Sequence, residues 1–287
     1  MTMILRMRPV LALMLLLSAI SGCGVATRSI LSSPRQLVAT PADRGLAYEE
    51  LHFPSRDGVM LYGWYLPGRA KMPLILYCQG NAGNISQHLD KLIALHELGF
   101  PVFIFDYRGF GASSGRAEHE EDLLADALGA LDLLNTRGWT PERMIYYGQS
   151  LGAAVALNLA VGRPAAGVVL ECSFTSLREL AWHKTPWTYA LFGWWSLDSS
   201  FDNLGRIGRL QSPLLMLHGD SDHIAPLSMA ERIYARAPQP KTLVVIPGAD
   251  HSDCGSVDAP LYGRSWTDFV SSLSIPLRKL AGENDAP

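Results

Sequence analysis

The chain has 287 residues, 48% of them hydrophobic and 18% charged, with a formal net charge of -3. That length buries a sizeable core and fits one large α/β domain or two small ones, of which one domain is the expectation. The near-neutral balance without a basic stripe argues against nucleic-acid binding, and the four cysteines lack zinc-type spacing.

The N-terminus is set apart from the rest. Arg6 and Arg8 precede an apolar run of 11 residues, Val10 to Ile20. This is too short for the roughly 20 residues that span a bilayer and suits a signal peptide. Ile20-Ser21-Gly22-Cys23 resembles a bacterial lipobox, which implies cleavage after residue 22 and a lipid anchor on Cys23. An ordinary secretory signal and an uncleaved anchor are the plainer readings. Gly24, with no Asp at that position, implies by the same resemblance an outer-membrane lipoprotein facing the periplasm. Residues 23–45 carry turn formers and no sustained apolar period, so a tether is expected there. Three cysteines remain beyond the anchor, Cys78, Cys172 and Cys254. Their odd number leaves at least one free or paired with another molecule, and Cys78 and Cys172 read as small buried hydrophobes at strand positions.

The folded part begins near residue 46. Tyr48 to Phe53 and Val59 to Leu66 alternate as an antiparallel pair around Ser55-Arg56-Asp57-Gly58, a good turn sequence. From Pro73 onward the pattern becomes short unbroken apolar runs: Leu74 to Cys78, Pro101 to Phe105, Met144 to Tyr147, Gly167 to Leu170, Pro213 to Leu217 and Thr242 to Ile246. Unbroken runs mean strands covered on both faces, hence a mainly parallel sheet. Helical spacing lies between them, as in Ile85, Leu89, Leu92, Leu95 and in Leu123, Ala127, Ala130, Leu134. The alternation predicts a doubly wound α/β sheet with an antiparallel hairpin at one edge and helices on both faces. Residues 176–212 break it with a long aromatic-rich connection containing Trp182, Trp187, Tyr189, Phe192, Trp194 and Trp195. It reads as a short helical cap lining an acyl pocket, or as a helix pair docked on the sheet, or both.

The chemistry centres on Gly148-Gln149-Ser150-Leu151-Gly152, between a predicted strand and a predicted helix. In this turn the central residue takes a strained backbone conformation and the glycines remove Cβ atoms that would collide, so the serine hydroxyl is pushed out above the sheet. A second copy, Gly111-Ala112-Ser113-Ser114-Gly115, is separated from its strand by Tyr107-Arg108-Gly109-Phe110 and reads as a loop. A serine nucleophile needs a base and a group that orients the base. His251 follows the last strand and its Pro247-Gly248 turn, which brings it back toward Ser150, and is the expected base. Spacing alone leaves the acid open between Asp220 and Asp222, while Asp250 and Asp253 read as loop caps. His218 reads as a brace at the strand end, His223 as a solvated loop residue, and His88, His96, His119 and His183 as helix-face or cap residues. Acyl transfer also needs donors for an oxyanion. The Leu151 backbone N–H is one, and the loop Gln79-Gly80-Asn81-Ala82-Gly83-Asn84 offers the Asn81 N–H as the second. The plainer reading of that loop is a turn in which Asn84 caps the next helix.

From about Tyr48 to Phe269 the chain resembles the α/β-hydrolase superfamily, and in particular its small-capped serine hydrolases. The matching segments are Gly80 to Asn84, Asp106 to Gly115, Gly148 to Gly152 and Phe201-Asp202-Asn203-Leu204. The resemblance implies the chain order Ser, Asp, His, and its His-Gly-x-x-Asp-x-x-x-Pro pattern falls on His218 to Pro226, which selects Asp222 as the acid. Gln79 stands where the pattern has histidine. The expectation is therefore an envelope-facing, lipid-anchored serine hydrolase acting on an ester through Ser150, His251 and Asp222, with no metal or organic cofactor. Its parts are a signal peptide over residues 1–22, a tether over 23–45, a hydrolase domain over 46–275 with the cap at 176–212, and a tail over 276–287. A thioesterase or peptidase on the same residues is the alternative, and a non-catalytic interaction module is the alternative of another class.

Overall fold

In the computed structural model, which describes residues 31–184 and 201–275, eight strands form one sheet. They are β1 (Glu49–Pro54), β2 (Met60–Leu66), β3 (Leu74–Cys78), β4 (Val102–Asp106), β5 (Met144–Gln149), β6 (Gly167–Glu171), β7 (Leu214–Gly219) and β8 (Lys241–Ile246). Their spatial order is β1-β2-β4-β3-β5-β6-β7-β8. The expected hairpin is at the edge, with Phe53 opposite Leu61, and β2 runs antiparallel to β4. The other six strands are mutually parallel, and each arose from one of the six unbroken apolar runs. Successive side chains point to opposite faces, so each run feeds two cores: Leu74, Leu76 and Cys78 join one, Ile75 and Tyr77 the other.

Helices cover both faces. On the Ile75 side lie α1 (Leu89–Glu97) and α6 (Ala259–Ser272), contributing Leu89, Leu92, Tyr262, Trp266 and Phe269. On the Leu74 side lie α2 (Glu120–Thr136), α3 (Leu151–Gly162) and α5 (Leu227–Arg236), with Leu123, Ala127, Val155 and Ile233 in the core. The helix between them in chain order, α4 (Leu177–Lys184), opens the connection expected to form a cap. Among the described residues no helix is long and apolar enough to cross a membrane. Because β3 to β8 are parallel, the loops after them gather along one edge of the sheet, where the candidate residues fall.

A single buried cation ties the hairpin to this body. Arg108 donates through Nε to Asp126 at 2.8 Å and through Nη2 to Asp57 at 2.6 Å, in the hairpin turn. The sequence places Arg108 in a loop; only the fold shows that it bridges a strand end, α2 and the turn.

Part of the tether expected over residues 23–45 falls on described residues. Residues 31–45 lie on the domain: Leu31 is buried in the Leu74-side core, and the Asn84 Nδ2 donates to the carbonyls of Pro34 and Gln36 at 2.9 and 2.8 Å. Ser86 Oγ accepts the Val38 N–H at 3.0 Å. The stretch has turn-former composition because it follows the surface irregularly, and the Pro34 and Gln36 carbonyls and the Val38 N–H are bonded by side chains of the domain. The expected signal peptide and lipid anchor on Cys23, the aromatic residues Trp187, Tyr189, Phe192, Trp194 and Trp195, and the expected tail over 276–287 lie outside the described residues.

Asn84→Ala removes both strap hydrogen bonds and the cap that accepts the Ser86 N–H. Urea unfolding is expected to register a loss of about 2–3 kcal/mol, and limited proteolysis to cut within residues 31–45 before the rest of the domain.

Candidate active site

β5 ends at Gln149 and α3 begins at Leu151, so Ser150 alone makes the reversal. Its φ of 54° and ψ of -116° lie in the left-handed half of backbone space, which a non-glycine residue occupies only under constraint. The constraint is visible at the flanks. A Cβ on Gly148 would lie 2.2 Å from the Gly152 carbonyl oxygen, and one on Gly152 would lie 1.9 Å from that of Cys78. The Ser150 N–H is held by the Glu171 carbonyl at 2.9 Å. The second copy of the motif is structural: buried Ser113 donates to the Asp106 carbonyl at 2.6 Å and accepts the Tyr62 N–H at 2.9 Å.

Ser150, His251 and Asp222 are brought into one hydrogen-bonded row. His251 Nε2 is 2.8 Å from Ser150 Oγ, and Nδ1 is 2.8 Å from Asp222 Oδ2. Asp222 Oδ1 accepts the N–H groups of Ile224 and Ala225, each at 2.8 Å. His218 Nε2 lies 2.7 Å from the Ala225 carbonyl and 3.3 Å from Asp222 Oδ2. Burial pushes the Asp222 carboxyl up, but hydrogen bonds from His218 and His251, the His251 charge and the Ala225 N–H outweigh it and hold the group well below the usual carboxylate range. An ionised carboxylate only accepts, so His251 Nδ1 donates to Asp222, and in the neutral ring this bond selects the tautomer whose Nε2 is the acceptor facing Ser150 Oγ. Asp220, Asp250 and Asp253 behave as loop caps, accepting the N–H groups of Gly248, of His223 and His251, and of Asp250. His218 is the strand-end brace, and His223 is an exposed partner of Asp250 at 3.2 Å.

The loop after β3 runs beside the nucleophile: a Cβ on Gly80 would be 3.6 Å from the Ser150 Cβ. Gln79, where histidine was expected, is fully buried. Its side-chain Nε2 donates to Asp106 Oδ1 at 3.0 Å and to the Phe105 carbonyl at 3.3 Å, while the backbone carbonyl of Gln79 accepts the Tyr107 hydroxyl at 3.1 Å. Asp106 Oδ1 also accepts the Ile85 N–H at 2.9 Å, so Gln79 and Asp106 together hold both ends of the loop that carries Asn81. Gln79 thus supplies a donor that does not titrate.

The row opens on a cavity of about 730 Å³, within the range of small-molecule sites. Phe174, Leu177, Leu180 and Ile224 form an apolar wall, and Gly80, Asn81, Ser150, Leu151 and His251 line the cavity as well. The described part of the cap therefore contributes Leu177 and Leu180 to the cavity. The Asn203 side chain donates to the Phe174 carbonyl at 2.8 Å, which fixes the far end of the cap connection to this wall.

Beneath the site lies a buried ion pair that sequence reasoning missed. Lys91 Nζ is 2.5 Å from Glu171 Oε1, and Glu171 Oε2 accepts the hydroxyls of Tyr147 and Tyr262 at 2.8 and 3.0 Å. The available signal was Glu171 closing an otherwise apolar strand. Two buried groups bring three possible ligand atoms within 4.8 Å, one of Cys172, Asp222 and His251 and one of Glu171, Cys172 and Cys254. In each the carboxylate already accepts hydrogen bonds from three or more donors.

The family described as serine aminopeptidase, S33, matches residues 72–203, and the family described as alpha/beta hydrolase fold matches residues 181–255. An uncharacterised protein of Mycobacterium tuberculosis is 41% identical over 238 residues, covering 82% of each chain. The alpha/beta hydrolase domain-containing protein WAV2 of Arabidopsis thaliana is 32% identical over 260 residues, covering 84% of each. Among solved structures, an esterase of Pyrococcus furiosus superposes with a TM-score of 0.71 at 18% identity, covering 85% of this chain and 98% of that one.

His88 lines the same cavity and gives it a pH-dependent wall. Tyr77 donates its hydroxyl proton to Gln149 at 2.9 Å, so it accepts from His88 Nδ1 at 3.2 Å, and the buried Nε2 has no partner. Burial, aided by the Lys91 charge, pushes the imidazole down from 6.5 to about 4. Between those values the unfolded chain binds a proton that the folded chain does not. Stability therefore rises with pH through this window and is lost as pH falls, by about 3 kcal/mol in full. Urea titrations at several pH values should show this slope flattened in His88→Gln.

Proposed function

The chain belongs to the α/β-hydrolase superfamily, and on that premise we propose that it is a serine esterase cleaving esters of apolar acyl groups through an acyl-enzyme. The observation that carries this reading is the row Ser150, His251 and Asp222, with 2.8 Å contacts on both sides of the imidazole, opening on the cavity with its apolar wall.

In this reading Ser150 Oγ attacks the ester carbonyl while His251 Nε2 takes its proton, and Asp222 steadies the imidazolium that results. The carbonyl oxygen becomes an oxyanion beside the N-terminus of α3. The backbone N–H groups of Leu151 and Asn81 are the donors aimed at it, each worth about 3 kcal/mol of barrier. His251 then protonates the leaving alcohol, which departs and leaves the acyl group on Ser150. Water enters, gives its proton to His251, and attacks the acyl carbon; collapse of the second oxyanion returns the proton to Ser150 and frees the acid. The acyl chain lies along Phe174, Leu177, Leu180 and Ile224.

An ester is favoured over a peptide by the charges around the cavity. An aminopeptidase must hold a free ammonium group against fixed carboxylates. Of the described lining residues only Asp90 is acidic, and it is an exposed residue whose side chain points to solvent near Arg44, 3.6 Å away. A thioester would meet the same residues, and matched ester, thioester and amide substrates separate the three.

The proposal also places the chain in the bacterial envelope, tethered by a lipid on Cys23, with the domain facing the periplasm from the outer membrane. The support is the basic start, the short apolar run and Ser21-Gly22-Cys23 in the sequence.

The first test is labelling of the full-length chain in detergent with a fluorophosphonate probe, which reports an activated serine without knowledge of the substrate. Wild type is expected to label, Ser150→Ala and His251→Ala to stay blank, and Asp222→Asn to label on the order of 10⁴-fold more slowly. A folded wild type that does not label would instead support a non-catalytic module. For the anchor, growth with radiolabelled palmitate should mark the wild-type chain and leave Cys23→Ser unmarked.

A further inference from the structure

The proposed chemistry leaves three buried cysteines unused, Cys78, Cys172 and Cys254. The sheet divides them. Cys78 belongs to the core on the Leu74 side, whereas Cys172 and Cys254 belong to the core on the Ile75 side. There their sulfur atoms are in contact, 3.6 Å apart, although 82 residues separate them in the chain.

Both positions bear on the site. Cys172 is the first residue after β6 and adopts a φ of 49°, an unusual conformation for a residue with a side chain. Its N–H is fixed by the Leu217 carbonyl at 2.9 Å. It also follows Glu171, whose carbonyl holds the Ser150 N–H. Cys254 opens a helical turn, Cys254–Val257, three residues after His251. Cys172 Sγ lies within 4.8 Å of ligand atoms of both Asp222 and His251. The strand end that holds the nucleophile and the turn that carries the base thus approach each other through two thiols.

We propose that Cys172 and Cys254 are a disulfide pair, a site of oxidative modification that fastens the His251 turn to the end of β6. The reaction is thiol–disulfide exchange with a disulfide oxidant, RSSR. One cysteine thiolate attacks a sulfur of RSSR and expels RS⁻, forming a mixed disulfide; the second thiolate attacks the protein sulfur of that bond and expels the other RS⁻. Two S–H bonds are lost and one S–S bond is gained. The two electrons and two protons end on the oxidant as two RSH.

The folded environment sets when this occurs. The adjacent Cys254 thiol and burial both push the Cys172 thiol up, so the folded, reduced protein offers little thiolate. Exchange therefore belongs to folding, before the pair is enclosed, and the same enclosure shields the finished bond from reductants. Cys78, on the opposite face, stays a thiol. This assignment resolves the odd cysteine count, and it is independent of which substrate the site cleaves.

Closing a loop of this length restricts the unfolded chain strongly, and the expected consequence is a Tm about 10 °C higher in the oxidised form. The test uses the full-length chain, unfolded in urea and refolded in detergent with a mixture of glutathione and glutathione disulfide. Denaturation in excess alkylating reagent, before and after reduction, followed by peptide mapping, reads each cysteine. Cys172 and Cys254 should be alkylated only after reduction, and Cys78 in both samples. Wild-type chain refolded from urea with dithiothreitol in place of the glutathione mixture should have a Tm about 10 °C lower than the oxidised chain, and Cys254→Ala should have the same Tm from both refoldings. The wild-type comparison stands by itself if the variant does not fold. Alkylation of Cys172 and Cys254 without reduction, a linkage through Cys78, or a wild-type Tm that ignores reductant would each overturn the proposal.

Discussion

The close crossing of three backbones at Ser150 is the constraint on which the rest of the site depends. β5, the first turn of α3 and the end of β3 approach so tightly that neither Gly148 nor Gly152 has room for a Cβ. Because the turn is a single residue, Ser150 must take a left-handed conformation, and its hydroxyl is aimed by the backbone rather than by a rotamer choice. The same approach sets the loop after β3 beside the nucleophile and directs the N-terminus of α3 at the same point. The positions of Ser150, of the N-terminus of α3 and of the loop after β3 are thus consequences of one packing event.

Around this crossing the buried charges are compensated one by one. Asp222 is enclosed yet ionised, because two backbone N–H groups and two histidines donate to it. Glu171 is balanced by Lys91 and two tyrosine hydroxyls. Each arrangement is costly to leave half-made, since an unpaired buried charge forfeits its solvation without return. Gln79 obeys the same rule without charge. By donating to Asp106 it fixes the loop that carries Asn81.

The cavity adds the remaining element of function. One wall is apolar and comes from the loop after β6, the cap helix and the loop after β7, so its shape depends on elements remote from one another in the chain. Asn203 holds the returning cap connection to Phe174, and Glu120 accepts the Phe201 N–H and pairs with Arg206. The cap connection is therefore anchored at the end where it rejoins the domain. The proposed ester cleavage rests on this wall and on the row of Ser150, His251 and Asp222 beside it.

Much of this was legible in the sequence. Six unbroken apolar runs gave six parallel strands, because a strand covered on both faces must be apolar at every position, and the spacing of Leu89, Leu92 and Leu95 gave a helix face. The strand, turn and helix around Ser150 distinguished it from Ser113, and the Pro-Gly turn brought His251 within reach. Other features were not local. Residues 31–45 have the composition of a linker, and only the presence of Asn84 and Ser86 opposite their carbonyl and N–H groups turns them into a strap. Spacing could not separate Asp220 from Asp222, since two residues apart in a loop can point anywhere; the N–H groups of Ile224 and Ala225 decide the matter by holding one carboxylate under His251. Lys91 with Glu171, and Cys172 with Cys254, are pairings across about 80 residues, and no periodicity records them. The sequence determined which segments fold and which atoms are reactive, because those follow from local backbone and side-chain chemistry. The tertiary structure alone decided which reactive atoms meet, because that depends on the packing of the sheet and its helices.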